Sequence, residues 1–226
     1  MDLTPIYILH TRPFRNTSLL VDAFSEIHGR ISLVAKSARG PKSRYQGQLQ
    51  LFTPIAANWS GKFELKSLNK MELVGMPLQL NQQALFSGFY LNELLVRLLQ
   101  KEDAYPKLFY LYQDTLQALE EGHAIEMTLR KFEKNMLAIL GYGLPISRDA
   151  KTGFPIDADK YYDYYPQHGF RCQLQPNAQS FLGNDLMAMA NDCFESESVL
   201  QASKRLMRMA LAPLLGDKPL QSRSFF

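Results

Sequence analysis

Turn signals cut the first 75 residues into short apolar pieces, none long enough to make a helix. Arg12-Pro13, His28-Gly29, Arg39-Gly40-Pro41, Thr53-Pro54 and Ser60-Gly61-Lys62 separate Ile6–Leu9, Ser18–Phe24, Arg30–Ala35, Leu49–Phe52, Ile55–Trp59, Glu64–Leu68 and Glu72–Val74. Apolar and β-branched pieces at this spacing predict a small all-β barrel or sandwich. A meander of about five strands fits an OB-fold, with an SH3-like barrel as the alternative of similar size.

The texture changes at Gly75-Met76-Pro77. Ala84–Gln100 is apolar on nearly all sides, which predicts a helix buried at the centre of a bundle. Tyr105–Leu119 and Ala124–Leu140 have helical periodicity, the latter stopping at Gly141-Tyr142-Gly143. Residues 144–177 hold Pro145, Gly153, Pro155, Pro166, Gly169, Pro176 and four tyrosines, an irregular insert with a small hairpin around Tyr161–Arg171. Leu182–Phe194 and Ser198–Leu215 complete the helices. The expected fold class is α+β: an OB-fold barrel over residues 1–78, then an all-helical C-terminal domain over 79–226 carrying the insert.

Charge is informative in its placement. Residues 1–80 carry ten Lys/Arg against five Asp/Glu, whereas residues 81–226 carry fifteen against seventeen. No acid occurs between Glu26 and Glu64, a gap that holds Arg30, Lys36, Arg39, Lys42, Arg44 and Lys62. A long stretch of one sign suits a polyanion. No run approaches the ~20 apolar residues of a membrane span, and the acid at position 2 and short apolar run after it do not make a secretory signal. The expected location is the cytoplasm, at the nucleoid, away from membranes.

Catalytic signatures are missing. Gly40-Pro41-Lys42-Ser43 lacks the glycines of a P-loop, and Pro41 removes an amide a phosphate cradle needs. There is no GxGxxG, GxSxG, HExxH or CxxC. Asp157 and Asp159 read as a solvated turn rather than a metal site, and Cys172 would need His168 as its base to act as a nucleophile. No catalytic residue, metal or cofactor is expected.

A barrel with a basic loop suits single-stranded nucleic acid, with cations tracking phosphates and aromatic faces stacking bases. The candidate DNA-binding residues are Arg12, Arg15, Arg30, Lys36, Arg39, Lys42, Arg44 and Tyr45, with Tyr45 the favoured stacking ring. Trp59 and Phe63 flank another turn, and core packing explains Trp59 as well as stacking does. If about five phosphates are neutralised, the log-log salt slope is roughly −3.5 on single strands. A second cluster, Lys204, Arg205 and Arg208, is expected on one helix face, followed by Lys218 and Arg223. Arg130, Lys131 and Lys134 lie beside Leu129, Met136 and Leu137, a basic rim next to apolar residues that suits an acidic peptide ending in a hydrophobic residue.

Several strings are more specific. The run from Met209 through Ala212-Pro213-Leu214-Leu215-Gly216-Asp217-Lys218-Pro219 to Arg223 resembles the end of the RecO family of bacterial recombination mediators. Phe86-Ser87-Gly88-Phe89-Tyr90-Leu91-Asn92-Glu93-Leu94-Leu95 is similar to that family's central helix. Arg12-Pro13-x4-Ser18-Leu19-Leu20, Gly29-Arg30-x3-Val34-Ala35-Lys36-x2-Arg39 and Leu140-Gly141-Tyr142-Gly143 match as well. The likeness spans nearly the whole chain and points to the gamma-proteobacterial branch.

The resemblance implies an N-terminal OB domain and a helical C-terminal domain. It implies a protein that binds single- and double-stranded DNA, anneals complementary strands, and with RecR helps RecA displace the single-stranded-DNA-binding protein (SSB) in the RecF pathway. The acidic, Phe-ending SSB tail would dock on the helical domain. There Arg130, in Leu129-Arg130-Lys131-Phe132, matches a tail-binding arginine of the family. Lys131 and Leu137 join it from helix geometry. Some members carry a four-cysteine zinc site in the irregular region, but residues 144–177 hold only Cys172, so the expectation is no zinc and a region held by its tyrosines and prolines. The alternative reading is an RNA- or ribosome-associated OB protein.

Overall fold

The computed structural model describes residues 3–222. Five strands close into a barrel: β1 (Thr4–Phe14), β2 (Ser18–Ser25), β3 (Gly29–Ala35), β4 (Ile55–Ser60) and β5 (Leu65–Leu73). Their order is β1-β2-β3-β5-β4, with β3 and β5 parallel and the other neighbours antiparallel. This is the Greek-key order of an OB-fold. The interior is filled by alternate residues, among them Ile6, Ile8, Val21, Ile31, Leu33 and Ile55.

Seven predicted pieces become five strands. Leu49–Phe52 is turn, and Glu64–Leu68 and Glu72–Val74 belong to one continuous β5. Arg12-Pro13 does not break β1 either. The β4 ladder covers only Thr4–Ile6, so beyond it β1 is an edge with β2 alone, and an edge tolerates the missing proline N–H. Gly29 is obligatory at its turn: its φ is +63°, and a Cβ there would lie 1.7 Å from the Asp103 carbonyl oxygen.

The chain divides into two compact units, residues up to His123 with the segment from Pro219, and Ala124–Lys218. In the first, α1 (Gln82–Leu98) and α2 (Pro106–Glu120) belong with the barrel. α1 is apolar all round because it lies against the barrel, rather than at the centre of a bundle. Asn92 donates to the Leu9 carbonyl (2.9 Å) and accepts from the Tyr112 hydroxyl (2.5 Å), all buried. Tyr7 and Phe24, on the outer face of β1 and β2, pack their rings against Phe109 at 5.5 Å. Gly88 has no room for a side chain, since a Cβ would meet the Phe52 ring at 2.8 Å. Glu93 receives the Gln221 and Ser222 N–H groups and the Ser222 hydroxyl (2.6–2.9 Å), which pins the C-terminal segment to α1.

The second unit holds α3 (Ile125–Ile139), a small sheet ordered β7-β6-β8, α4 (Gly183–Ala190) and α5 (Glu197–Leu215). β6 (Tyr161–Tyr165) and β7 (Gly169–Gln173) form the expected hairpin, and β8 is Phe181–Leu182. Tyr162 and Tyr164 point into the core while Tyr161 and Tyr165 face out, the period of a strand. Pro145 packs on Gly169. The insert therefore uses two of its four tyrosines as core, and Asp149 ties its loops together, a role the sequence reading missed.

Candidate nucleic-acid interface

One end of the barrel is built from the β1–β2 turn and the loop after β3. Arg12 comes from the end of β1 leading into the first and Arg15 from the first itself, Lys36, Arg39, Lys42 and Arg44 from the second, and all six are exposed. Arg39 joins the two: its backbone N–H donates to Thr17 O (2.8 Å) and its guanidinium to the carbonyls of Arg15 and Asn16 (2.7 Å each). Arg15 has a φ of +51° and sits 5.2 Å from the centroid of Phe14. Arg44 covers the Tyr45 ring at 4.7 Å and donates to its hydroxyl.

Charge pairing separates this end from most of the rest of the barrel, Lys62 of the β4–β5 turn excepted. Lys66 pairs with Glu102, Lys70 with Glu72 and Lys101 with Glu64. The Lys101 hydrogen bond, with its charge, holds the Glu64 carboxyl below the usual range. Among the described residues no ion pair reaches any of the six cations. A paired lysine offers a phosphate little net charge; six unpaired cations at one end of the barrel concentrate it.

Two of the expected barrel residues do other work. Tyr45 is 4% exposed, packed in the barrel core with its hydroxyl on Leu68 O (3.1 Å). A ring with no open face cannot stack a base, so the expectation for Tyr45 is corrected. Sequence placed it in a polar loop, but that loop folds the Tyr45 ring inward. Arg30 stands apart at the start of β3, half-buried, with Nε donating to Leu99 O (3.1 Å). It holds the end of α1.

The second basic cluster divides across α5. Lys204 is paired with Glu126 at 2.9 Å, and that hydrogen bond lowers the Glu126 carboxyl. Arg205 is turned inward, 4.4 Å over the Phe181 ring and bonded to Ser180 O, so it does not share an exposed face with its neighbours. Arg208 and Lys218 are exposed. Arg223 lies outside the described residues.

On α3 the spacing holds but the face is the inner one. Leu129, Arg130, Phe132, Glu133, Met136 and Leu137 are all buried. Leu137 is 0% exposed, so the expectation that it meets a peptide is corrected: positions three, four and seven apart do share a face, and here that face is core. Arg130 is 9% exposed and pairs with Glu133 at 2.6 Å. Lys131 is half-buried, and Lys134 caps α4 through the carbonyls of Met189 and Ala190. Breaking a buried pair from one side is costly. Arg130→Ala is expected to lower stability by about 3 kcal/mol, and urea unfolding of the variant checks this.

The other chemical candidates are structural. Asp157 pairs with Lys160 and accepts from Asp159 N–H, a closed turn. His168 Nδ1 lies 3.0 Å from Pro166 O, and Cys172 is an exposed residue of β7. Among the described residues no three His, Cys, Asp or Glu side chains gather as a metal would require, and no helix is long and apolar enough to cross a membrane.

Comparison with known proteins gives the geometry its context. Residues 1–77 match the family described as Recombination protein O N terminal, and residues 81–224 that described as Recombination protein O C terminal. The chain is 48% identical over 222 residues to a DNA repair protein RecO of Coxiella burnetii (strain RSA 493 / Nine Mile phase I), covering 98% of this chain and 96% of that one. It is 46% identical over 221 residues to DNA repair protein RecO of Actinobacillus pleuropneumoniae serotype 7 (97% and 92%), and 45% over 220 to that of Haemophilus influenzae Rd (97% and 93%). Matches that run through both halves of the chain, and through nearly all of each relative, make it a member of the RecO family.

Proposed function

We propose that this protein works in DNA repair and homologous recombination as a mediator: it binds single- and double-stranded DNA, anneals complementary strands, and helps load RecA onto SSB-coated DNA. The observation that carries the reading is the unpaired cationic end of the barrel in a chain of the RecO family. Annealing breaks no covalent bond. It needs two strands held close, their repulsion neutralised and their bases left free to pair. Exposed Lys and Arg side chains supply the neutralisation, and no catalytic group is required. Arg12, Arg15, Lys36, Arg39, Lys42 and Arg44 hold one strand on this reading; Arg208 and Lys218 of the second unit assist the other. Lys204 contributes less, since Glu126 already answers its charge.

The partners proposed are DNA, RecR and the acidic SSB tail, and the place of action is the cytoplasmic nucleoid. Lys131 remains the accessible cation for the tail on α3, with Arg130 reached only by exchange of its Glu133 bond.

The test is annealing of complementary oligonucleotides coated with SSB, beside SSB lacking its acidic tail. Fast annealing that depends on the tail is expected. Annealing of bare strands alone would remove the SSB contact from the proposal. No annealing of either, with preference for RNA in direct competition, would favour an RNA-associated OB protein instead.

A further inference from the structure

The strand 2–3 face that OB-folds commonly offer to nucleic acid is not open along β2 here. Tyr7 and Phe24 on the outer side of β1 and β2 are covered by Phe109 and Tyr112 of α2, and Glu102 N–H bonds to Arg30 O along β3. The cationic end described above supplies charge, but Tyr45 is buried there and the half-buried Phe14 ring carries the Arg15 guanidinium at 5.2 Å. Base contacts must be sought elsewhere on the barrel.

The opposite end carries a hollow of about 390 Å³ between the β2–β3 turn and the β4–β5 turn. Ile27 and Trp59 give it apolar walls above the buried Ile31 of the barrel core. His28 meets Trp59 edge-on, 5.2 Å between centroids at 79°, which fixes the indole's orientation. Ser60 and Glu102 bring hydrogen-bonding oxygens to the rim. Lys66 neutralises Glu102 at 2.8 Å with its own side chain 12% exposed, so the carboxylate does not repel an anion as a bare one would. Lys62 is exposed, and among the described residues no ion pair involves it. Phe63, beside it on the same turn, is 83% exposed, a large ring held in water.

We propose that this hollow takes an unpaired nucleobase of a single DNA strand, with the adjoining phosphate on Lys62 and a neighbouring base on Phe63. The proposal rests on the DNA-binding reading given above and adds to it the place where bases, rather than phosphates, are held. An indole wall, a ring at the lip and an unpaired cation are the elements of a stacking platform. Pairing is not hindered by it, because a single parked base leaves the rest of the strand free.

Trp59 is the only tryptophan in the chain, so its emission reports this hollow alone. The experiment titrates the full-length protein with a short end-labelled oligodeoxythymidylate, following label anisotropy and Trp59 emission together. An abasic strand of equal length is run in parallel. Quenching of Trp59 by the thymidylate with the midpoint of the anisotropy curve, and none by the abasic strand, is the expected result. Phe63→Ala, at an exposed position that does not endanger folding, weakens thymidylate binding about tenfold and leaves the abasic strand unaffected. Anisotropy that rises while Trp59 emission stays constant overturns the hollow as a base site and leaves the DNA-binding reading standing. Equal weakening of both strands by Phe63→Ala also overturns it. No rise in anisotropy overturns both readings.

Discussion

Reversing charge at two loop positions, Lys36→Glu with Lys42→Glu, is expected to weaken single-strand binding roughly a hundredfold at physiological salt. Each cation that neutralises a phosphate contributes about 0.7 to the salt slope, which at 0.15 M is worth about fourfold in affinity. Replacing a cation by an acid loses that contact and adds a repulsion of similar size, so two positions compound to roughly two orders of magnitude. The slope should shrink by roughly 1.4, from roughly −3.5 to about −2. Neither side chain takes part in an ion pair among the described residues, so the fold is spared. Lys70→Glu is the control: Lys70 already pairs with Glu72 at 2.6 Å, and its loss leaves affinity within about threefold. Anisotropy titrations across a salt series measure all three. Equal losses from the loop pair and from Lys70 would mean that overall charge, not the loops, drives binding.

The contrast between paired and unpaired lysines is where sequence stops and structure begins. The acid-free gap from Glu26 to Glu64 located the basic loop, because an acid that is absent cannot fold back to neutralise it. It could not locate Lys66, Lys70 and Lys101 as neutralised, since two of their partners, Glu64 and Glu102, come from a turn and from the segment before α2. Tyr45 and Leu137 failed for a related reason. Composition around Tyr45 is polar, and helical spacing around Leu137 is correct, but neither says which side faces the core. Helices α1–α5 were legible because their apolar periodicity and stop signals agree, and so was a barrel of about five strands; the strand bounds were not, because a polar stretch such as Asn69-Lys70 looks like a turn when it is the solvent side of one long strand. Gly88 shows the converse. Its string marks the family, yet only the Phe52 ring at 2.8 Å from a notional Cβ says why a glycine stands there.

Asp149→Ala is expected to destabilise the second unit by about 4 kcal/mol, at the far end of what one substitution does. The carboxylate is 4% exposed and accepts four hydrogen bonds: from Lys151 N–H (2.8 Å), Thr152 N–H (2.7 Å) and the Thr152 hydroxyl (3.0 Å) at one oxygen, and from Cys172 N–H (2.6 Å) at the other. One set closes the loop before the hairpin, and the Cys172 bond ties that loop to β7. Hydrogen bonds to a charged acceptor are worth about 1.5–3 kcal/mol each, less than additively, and truncation removes the one buried acceptor that gathers four donors from the exposed residues Lys151, Thr152 and Cys172. Burial pushes the Asp149 carboxyl up, but the bonds from Cys172, Thr152 and Lys151 outweigh it and hold the group below its ordinary value. A carboxyl lowered on folding stabilises fully above its unfolded value, near 3.9, and that contribution drains away as the pH falls through the folded value. The wild-type second unit should therefore lose stability on acidification below about pH 4. Asp149→Asn keeps an acceptor oxygen for one loop but puts an amide where Cys172 N–H donates, so it costs about half as much and removes this part of the acid dependence. Amide exchange over residues 145–173 should accelerate roughly a thousandfold in Asp149→Ala while the barrel strands keep their protection. Unchanged exchange there would mean that Tyr162, Tyr164, Phe170 and Phe181 hold the insert without the carboxylate. That outcome would return the region to the packing of rings and prolines that its composition first suggested.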